Sequence, residues 1–387
     1  FTEKRNMPKI IFINKMDKEN IDYVKLIRDL KDKFGKKIAP FCIPLGEQNE
    51  FKGFVNVVDL IGREYNGKEC IDVSVPVEME PRIKPFRDMI IESVAESDEA
   101  LMDKYFGGEE FTPEEIHAGL RKGVINNEIV PVLIGSAENR IGIHTLLNMI
   151  YDYLPTPKDM DGGVTVGVNP LTGDEIERKV DDAEPVSAFV FKTIVDTFVG
   201  KISLFKVYSG KVKRDLELMN ANKEETEKIG PVFLMRGKNQ LEVDHINAGD
   251  IGATAKLTLT ETGDTLCDKN QPIRYDGIKL PKPCLFMAAP PTNQRLSEED
   301  PSFIVTRNTE TKQLLIGGQG NMQLSIIVNK LKNTFGVDVN MVDQKIPYRE
   351  TIKGNVTVQG RHKKQTGGAG KFGDVHIKFE HSTEPFI

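Results

Sequence analysis

Ile10-Ile11-Phe12-Ile13-Asn14-Lys15-Met16-Asp17 runs from an apolar strand-like stretch straight into a polar loop, and its reading decides the fold. A short continuous apolar run bounded by polar residues suits a strand buried on both faces, as in a parallel sheet. The loop that follows has the chemistry to read guanine. Asp17 offers two carboxylate oxygens to the ring N–H and the exocyclic NH₂ of that base, a bidentate charge-assisted pair. The methylene stem of Lys15 can lie along the base plane, and the Asn14 amide can tie neighbouring loops to the purine edge. Adenine lacks the amino group that Asp17 needs. A buried carboxylate left unpaired is costly, so discrimination is built into the pattern.

Four polar residues after a strand are common, so the pattern needs a partner, and residues 129–137 supply it. Ile129-Val130-Pro131-Val132-Leu133-Ile134-Gly135-Ser136-Ala137 is a second continuous apolar run. It ends in Ser136-Ala137, where small side chains let a backbone N–H approach the guanine O6. A helix-like segment follows, with Ile143, Leu146, Leu147 and Ile150 at helical spacing. Strand–Asn-Lys-x-Asp followed by strand–Ser-Ala–helix describes the guanine pocket of a P-loop GTPase. The phosphate-binding Gly-x-x-x-x-Gly-Lys-Ser/Thr, which precedes such a strand, occurs nowhere in the 387 residues. The phosphate cradle and switches are therefore expected before Phe1. These residues by themselves are not expected to turn over GTP, and no catalytic or metal-ligating residue is assigned among them.

The length suggests two to four domains with ample core. Composition is ordinary for a globular protein, 39% apolar and 28% charged with no Trp. No apolar run approaches the length of a membrane span. Four dispersed cysteines (Cys42, Cys70, Cys267, Cys284) with no Cys-x-x-Cys pair argue against a zinc ribbon or disulfide framework and suit reduced thiols in the cytoplasm. Phe1-Thr2-Glu3-Lys4-Arg5 is no signal peptide and does not read as a native start. A net charge of −6 excludes bulk nucleic-acid affinity. Lys353, Arg361, Lys363, Lys364 and Lys371 nevertheless fall in one stretch with His362 and no acid, so a polyanion contact would be local.

The segments divide as a multidomain α/β chain. Between Asp17 and Ser136 lie 118 residues, far more than one helix and one strand require, so an inserted subdomain of about 40–126 is expected within a partial GTPase domain, 1–154. Strand-like Phe54–Leu60 and helix-like 86–105 fall inside it. Residues 155–184, with Pro155, Pro157, Gly162 and Gly163, read as a linker or loose hairpin. Short strand-like runs at 186–192, 201–208, 212–219 and 251–260 suggest a small closed β-barrel over 185–270. Residues 280–351 read as a ferredoxin-like module: strands at 284–289, 302–307 and 313–316, a helix carrying Leu324, Ile327, Val328, Leu331 and Phe335, and a last strand from the alternation of Val337, Val339 and Met341. Its first helix is missing, since only Pro290–Pro301 joins the first two strands. Residues 352–387 begin a further module.

These residues, in this order, resemble bacterial elongation factor G or a close paralogue, a translational GTPase. The resemblance covers nearly the whole chain. It rests on Asn14–Asp17, Ser136-Ala137 and the large insert, then on Phe198-Val199-Gly200-Lys201, Val207-Tyr208-Ser209-Gly210 and Gly263-Asp264-Thr265-Leu266-Cys267. It continues through Glu298-Glu299-Asp300-Pro301-Ser302-Phe303, Tyr348-Arg349-Glu350-Thr351 and Gln365-Thr366-Gly367-Gly368-Ala369-Gly370. The resemblance implies GTP or GDP with Mg²⁺, action on the ribosome as a monomer in the cytoplasm, and a role in tRNA–mRNA translocation or, with ribosome recycling factor, in recycling. It implies an RNA-contacting tip loop on the last module, mapped here onto Lys363, Lys364, Thr366, Gly367, Gly368, Gly370, Lys371 and Gly373. Glycines let backbone N–H groups approach phosphates and riboses, and the lysines add sequence-independent attraction. An A-form minor groove offers shape and backbone rather than base-specific edges, which suits such a loop.

Departures from the family pattern shift the expectation towards a paralogue. Ala369 stands where the family has Arg, Lys371-Phe372 where it has Gln-Tyr, and the Arg361-His362-Lys363-Lys364 cluster is unusual for it. Two other readings stay open: a tetracycline-resistance-type ribosomal protection protein, and a non-catalytic ribosome-binding module.

Overall fold

The structure is a computed structural model that describes residues 2–196, 199–289, 298–348, 350 and 352–381. Its first unit is a three-stranded parallel sheet. β1 (Ile11–Ile13) pairs with β7 (Val130–Ile134), which pairs in turn with β2 (Ile38–Pro40). Parallel neighbours need a crossover, and α1 (Tyr23–Phe34) supplies the one from β1 to β2. Asp22 starts this helix by accepting the Lys25 N–H at 3.0 Å, and Tyr23 and Ile27 bury its inner face.

The segment between β2 and β7 holds an antiparallel meander of β3 (Cys42–Leu45), β4 (Gly53–Asn56), β5 (Ile61–Tyr65) and β6 (Cys70–Val73). The helices α2 (Glu80–Glu96), α3 (Glu99–Phe106) and α4 (Pro113–Ile125) follow it. Pro40 lies in β2, so the insertion begins one residue later than the excess length suggested. It builds no core of its own: Phe54, Ile90 and Leu120 join Phe41, Val132 and Tyr153 in one continuous cluster. Two expected elements are shorter than read. The strand from Phe54 stops at Asn56, whose Oδ1 takes the N–H groups of Val58 and Asp59 and turns the chain. The helix-like run 86–105 breaks at Asp98, which caps α3 by accepting the Ala100 N–H.

α5 (Ile143–Tyr153) leads out of this unit. In the stretch read as linker or loose hairpin, β8 (Val164–Val168) and β9 (Glu175–Lys179) form a hairpin docked on the next unit. Arg178, 5% exposed, donates to the carbonyls of Pro185 and Gln271, and Val168 exchanges two backbone bonds with Arg274. An eight-stranded antiparallel sheet follows, running from Glu225–Lys228 at one edge to Asn239–Val243 at the other. Glu225–Lys228 and Val232–Arg236 are separated by residues 229–231 alone, and this run pairs with Glu217–Asn220 at its start and with Ile251–Ala255 at its end, so the order of pairing returns on itself. The sheet's curl brings Leu218 and Val232, from opposite halves, into one core with Val190, Phe205 and Leu266.

The third unit is a four-stranded antiparallel sheet ordered Ile304–Arg307, Leu314–Gly318, Leu285–Ala288, Val342–Asp343. Numbered along the chain this is 2-3-1-4, the split-βαβ arrangement. The helix α6 (Asn321–Phe335) packs on it through Leu324, Ile327 and Leu331. The alternation at 337–341 does not form the expected strand. Gly336, at φ +66°, ends the helix, and the Val337 N–H reaches back to the Leu331 carbonyl. Those residues cap the helix and pack on the core, and only Val342–Asp343 joins the sheet. The expected loss of the first helix falls mainly on residues 290–297, outside the described residues. A last hairpin pairs Val356–Lys364 with Lys371–Phe379, from Val356 opposite Phe379 to Lys364 opposite Lys371. Among the described residues no helix is long and apolar enough to cross a membrane.

Candidate guanine-binding loops and the basic hairpin

Two loops emerge side by side from the carboxyl ends of β1 and β7, the edge where open α/β sheets bind ligands. They are stitched together by backbone. Gly135 N–H donates to the Ile13 carbonyl at 3.0 Å and Met16 N–H to the Gly135 carbonyl at 3.1 Å. Two glycines allow this closeness. A Cβ on Gly135 would lie 2.3 Å from the Ile141 carbonyl oxygen, and one on Gly142, at φ +81°, 2.5 Å from that of Ile134. Ser136 and Ile141 exchange both backbone bonds and close the second loop into a tight ring.

All five residues assigned to the base reader, Asn14, Lys15, Asp17, Ser136 and Ala137, fall in this one place. Asn14 Oδ1 accepts the N–H of Lys15 at 2.8 Å and that of Ala137, from the other loop, at 2.9 Å. Lys15 sits at φ +66°, which turns the chain so that Met16 points into the core and Asp17 out of it. The Asp17 side chain is only 14% exposed. Its carboxyl is held below the usual range, first by the neighbouring Ser136 hydroxyl and then by backbone and Lys18, against the opposing effect of burial. Asp17 Oδ1 is nevertheless buried with no hydrogen-bond partner.

The Ala137 N–H donates to Asn14 Oδ1, so the Asn14 amide ties the two loops together. A contact that sequence reasoning missed is Lys18, which bridges Asp17 Oδ2 at 3.2 Å and Glu138 Oε2 at 3.3 Å and so joins both loops. The Asp17-Lys18 and Ala137-Glu138 neighbours were the available signal.

The second set of assigned residues lies on the last hairpin, around the loop Gln365–Gly370. Lys363, Lys364, Lys371 and Gly373 occupy the ends of its two strands, and Thr366, Gly367, Gly368 and Gly370 form the loop. Gly367 and Gly368 adopt φ +61° and +90°, open to solvent on all sides. Gly373 is half-buried, and every other assigned residue here is exposed.

Comparison with known proteins agrees with this layout. Residues 1–156 match the family model for the elongation factor Tu GTP binding domain, residues 185–269 that for elongation factor G domain 2, and residues 280–343 that for elongation factor G domain III. A crystal structure from Thermus thermophilus is similar over 97% of this chain, with a TM-score of 0.77 and 30% identity. This chain covers 55% of that one, so it spans about half the length of its solved relative. With three matched domains in this order, the chain belongs to the translational GTPases of the elongation factor G type.

Proposed function

We propose that the protein is a ribosome-dependent GTPase whose cycle drives tRNA–mRNA translocation or, together with ribosome recycling factor, the recycling of ribosomes. The observation that carries the GTP-specific half of this reading is Asp17. An ionised carboxylate with one buried oxygen lacking a partner, beside a loop locked by Asn14, suits a ligand that brings two N–H donors. Guanine fits this requirement at its N1–H and 2-amino group, and adenine does not. Asn14 and Ser136 fix the loops before the base arrives, so little ordering is left to be done on binding. Lys18 pairs with the carboxylate through Oδ2 and ties it to Glu138. GTP or GDP would be held here by its base, and Mg²⁺ would belong to the phosphates.

The hairpin supports the ribosomal half. Its assigned residues Lys363, Lys364, Lys371 and the loop Thr366–Gly370 present cations and unhindered backbone to a nucleic-acid surface such as rRNA or the tRNA–mRNA duplex. The test is paired. Single-round translocation on pretranslocation ribosomes is set beside subunit splitting with recycling factor, each with GTP and with ATP. GTP-dependent activity in one of the two assays is expected. No GTP-dependent activity in either overturns the proposal.

A further inference from the structure

The last hairpin is not uniform, and the cross-strand register shows what its two faces carry. Residues directly opposite one another share a face. Val356, Val358, Val375, Ile377 and Phe379 therefore form one apolar face, which ends towards the loop in Lys364 and Lys371. The other face carries Thr357, Gln359, Arg361 and Lys363 opposite Lys378, His376, Asp374 and Phe372. On that face Phe372 is 64% exposed, with Lys363 directly across and the Arg361 guanidinium 5.5 Å from its ring centroid. Arg361 is steadied in turn by Asp374, 4.0 Å away, which also accepts from Gln359 at 2.8 Å.

Two features call for an anionic, flat ligand. Lys364 and Lys371 are the last pair of the ladder and face each other directly, an arrangement that costs stability unless an anion lies between them. Phe372, held beneath Arg361 and beside Lys363, combines a π-face with two cations. That is the composition with which proteins stack unpaired bases while following the backbone. A duplex alone would use the glycine loop and lysines, since its base faces are hidden within the stack.

The geometry points to a stacking platform on this hairpin: Phe372, flanked by Arg361 and Lys363, takes an unpaired nucleobase next to the duplex that the loop and Lys364/Lys371 hold by its phosphates. This inference rests on the proposed RNA contact of the hairpin and adds a ligand to it, a base outside the helix.

The test uses the intact protein and two labelled RNAs, a blunt hairpin and the same hairpin with a short single-stranded overhang, with binding followed by fluorescence anisotropy over a salt series. The overhang RNA is expected to bind more tightly. Phe372→Leu should weaken the overhang RNA by roughly 5- to 150-fold, while the blunt RNA and both salt slopes stay unchanged. Phe372→Tyr should keep the overhang preference. The double variant Lys364→Gln, Lys371→Gln should weaken both RNAs and reduce the salt slope by roughly 1 to 2. An overhang preference that is absent in the native protein, or that survives Phe372→Leu, overturns the platform alone. If the native protein shows no salt-dependent binding of either RNA, or the lysine variant binds like the native protein, the RNA contact itself fails.

Discussion

Replacing Asp17 with Asn tests the base reader with the smallest possible change in shape. The native carboxylate is ionised at neutral pH, since its neighbours hold its pKa below the ordinary 3.8. It would accept two charge-assisted bonds from guanine. Asn keeps one acceptor and turns the other oxygen into an NH₂, which then faces a donor of the base. One strong bond is lost and a buried donor is left unpaired. With bonds to charged groups worth about 1.5–3 kcal/mol and an unsatisfied buried group costing about 1–3 kcal/mol, the net loss is about 2–4 kcal/mol. That corresponds to roughly 30- to 1,000-fold in Kd. The same change should invert the preference. Xanthine carries a carbonyl where guanine has its 2-amino group, so the Asn NH₂ finds an acceptor there. Titration calorimetry of the intact protein with GDP and with xanthosine diphosphate measures both effects. An unchanged GDP affinity, or a variant that gains nothing for the xanthine nucleotide, would refute the reasoning.

Other sites give further predictions. Glu227, 7% exposed, accepts from the N–H groups of Thr258, Leu259 and Thr260 and from two threonine hydroxyls. Glu227→Gln should therefore destabilise the β-domain by about 2–4 kcal/mol in chemical denaturation. Burial is the largest single influence on that carboxyl and pushes its pKa up, but Leu259, Thr260 and Thr258 together hold it below the ordinary 4.5. Its contribution is thus present above that value and lost as pH falls through the lower folded one, so the Gln variant should show a flatter stability profile in that acid range. Gly135→Ala should lower stability by about 1–3 kcal/mol and weaken GDP binding with it, because the new methyl meets the Ile141 carbonyl and the Phe12 ring. A variant with native melting temperature and GDP affinity would contradict the stitched-loop account. In the insert, His117 lies between Asp59, 2.9 Å from Nε2, and the Tyr153 hydroxyl, 2.5 Å from Nδ1. Asp59 can only accept, which assigns the proton to Nε2 and makes Tyr153 the donor to Nδ1. Tyr153→Phe strips that hydroxyl and should cost about 1–2 kcal/mol, whereas no change in denaturation midpoint would argue against a contribution of this bond to stability.

The parts of the fold legible in the sequence were those where a single physical demand acts over several residues. β7 lies in the middle of its sheet and is buried throughout, and β1 beside it is half-buried but packs on the same core, so both show as unbroken apolar runs. α6 shows its packed face as Leu324, Ile327 and Leu331. Where a polar side chain competes locally, periodicity misleads. Asn56 ends a strand and Asp98 breaks a helix by hydrogen-bonding nearby N–H groups, and neither act leaves a trace in hydrophobic spacing. The alternation of Val337, Val339 and Met341 is genuine burial, but it serves packing behind a helix cap rather than a ladder.

At the base reader the division is finer. Residue identity located Asn14, Lys15, Asp17, Ser136 and Ala137 because carboxylate, amide and small side chains have few ways to meet guanine. Identity could not say which donor serves which acceptor. Ala137 has one N–H, and Asn14 takes it, so a guanine O6 in the same place must share that donor or use a neighbouring one. The two oxygens of Asp17 differ in the same way: Oδ2 meets Lys18, while Oδ1 is buried and unpartnered. The first arrangement makes the pocket rigid at the expense of a free donor, and the second leaves an acceptor whose burial is costly until a base supplies two N–H groups. Asn14→Ala separates these effects, because it should free the Ala137 N–H while loosening the loops. If rigidity dominates, GDP affinity falls by about 1–2 kcal/mol; if donor competition dominates, affinity rises.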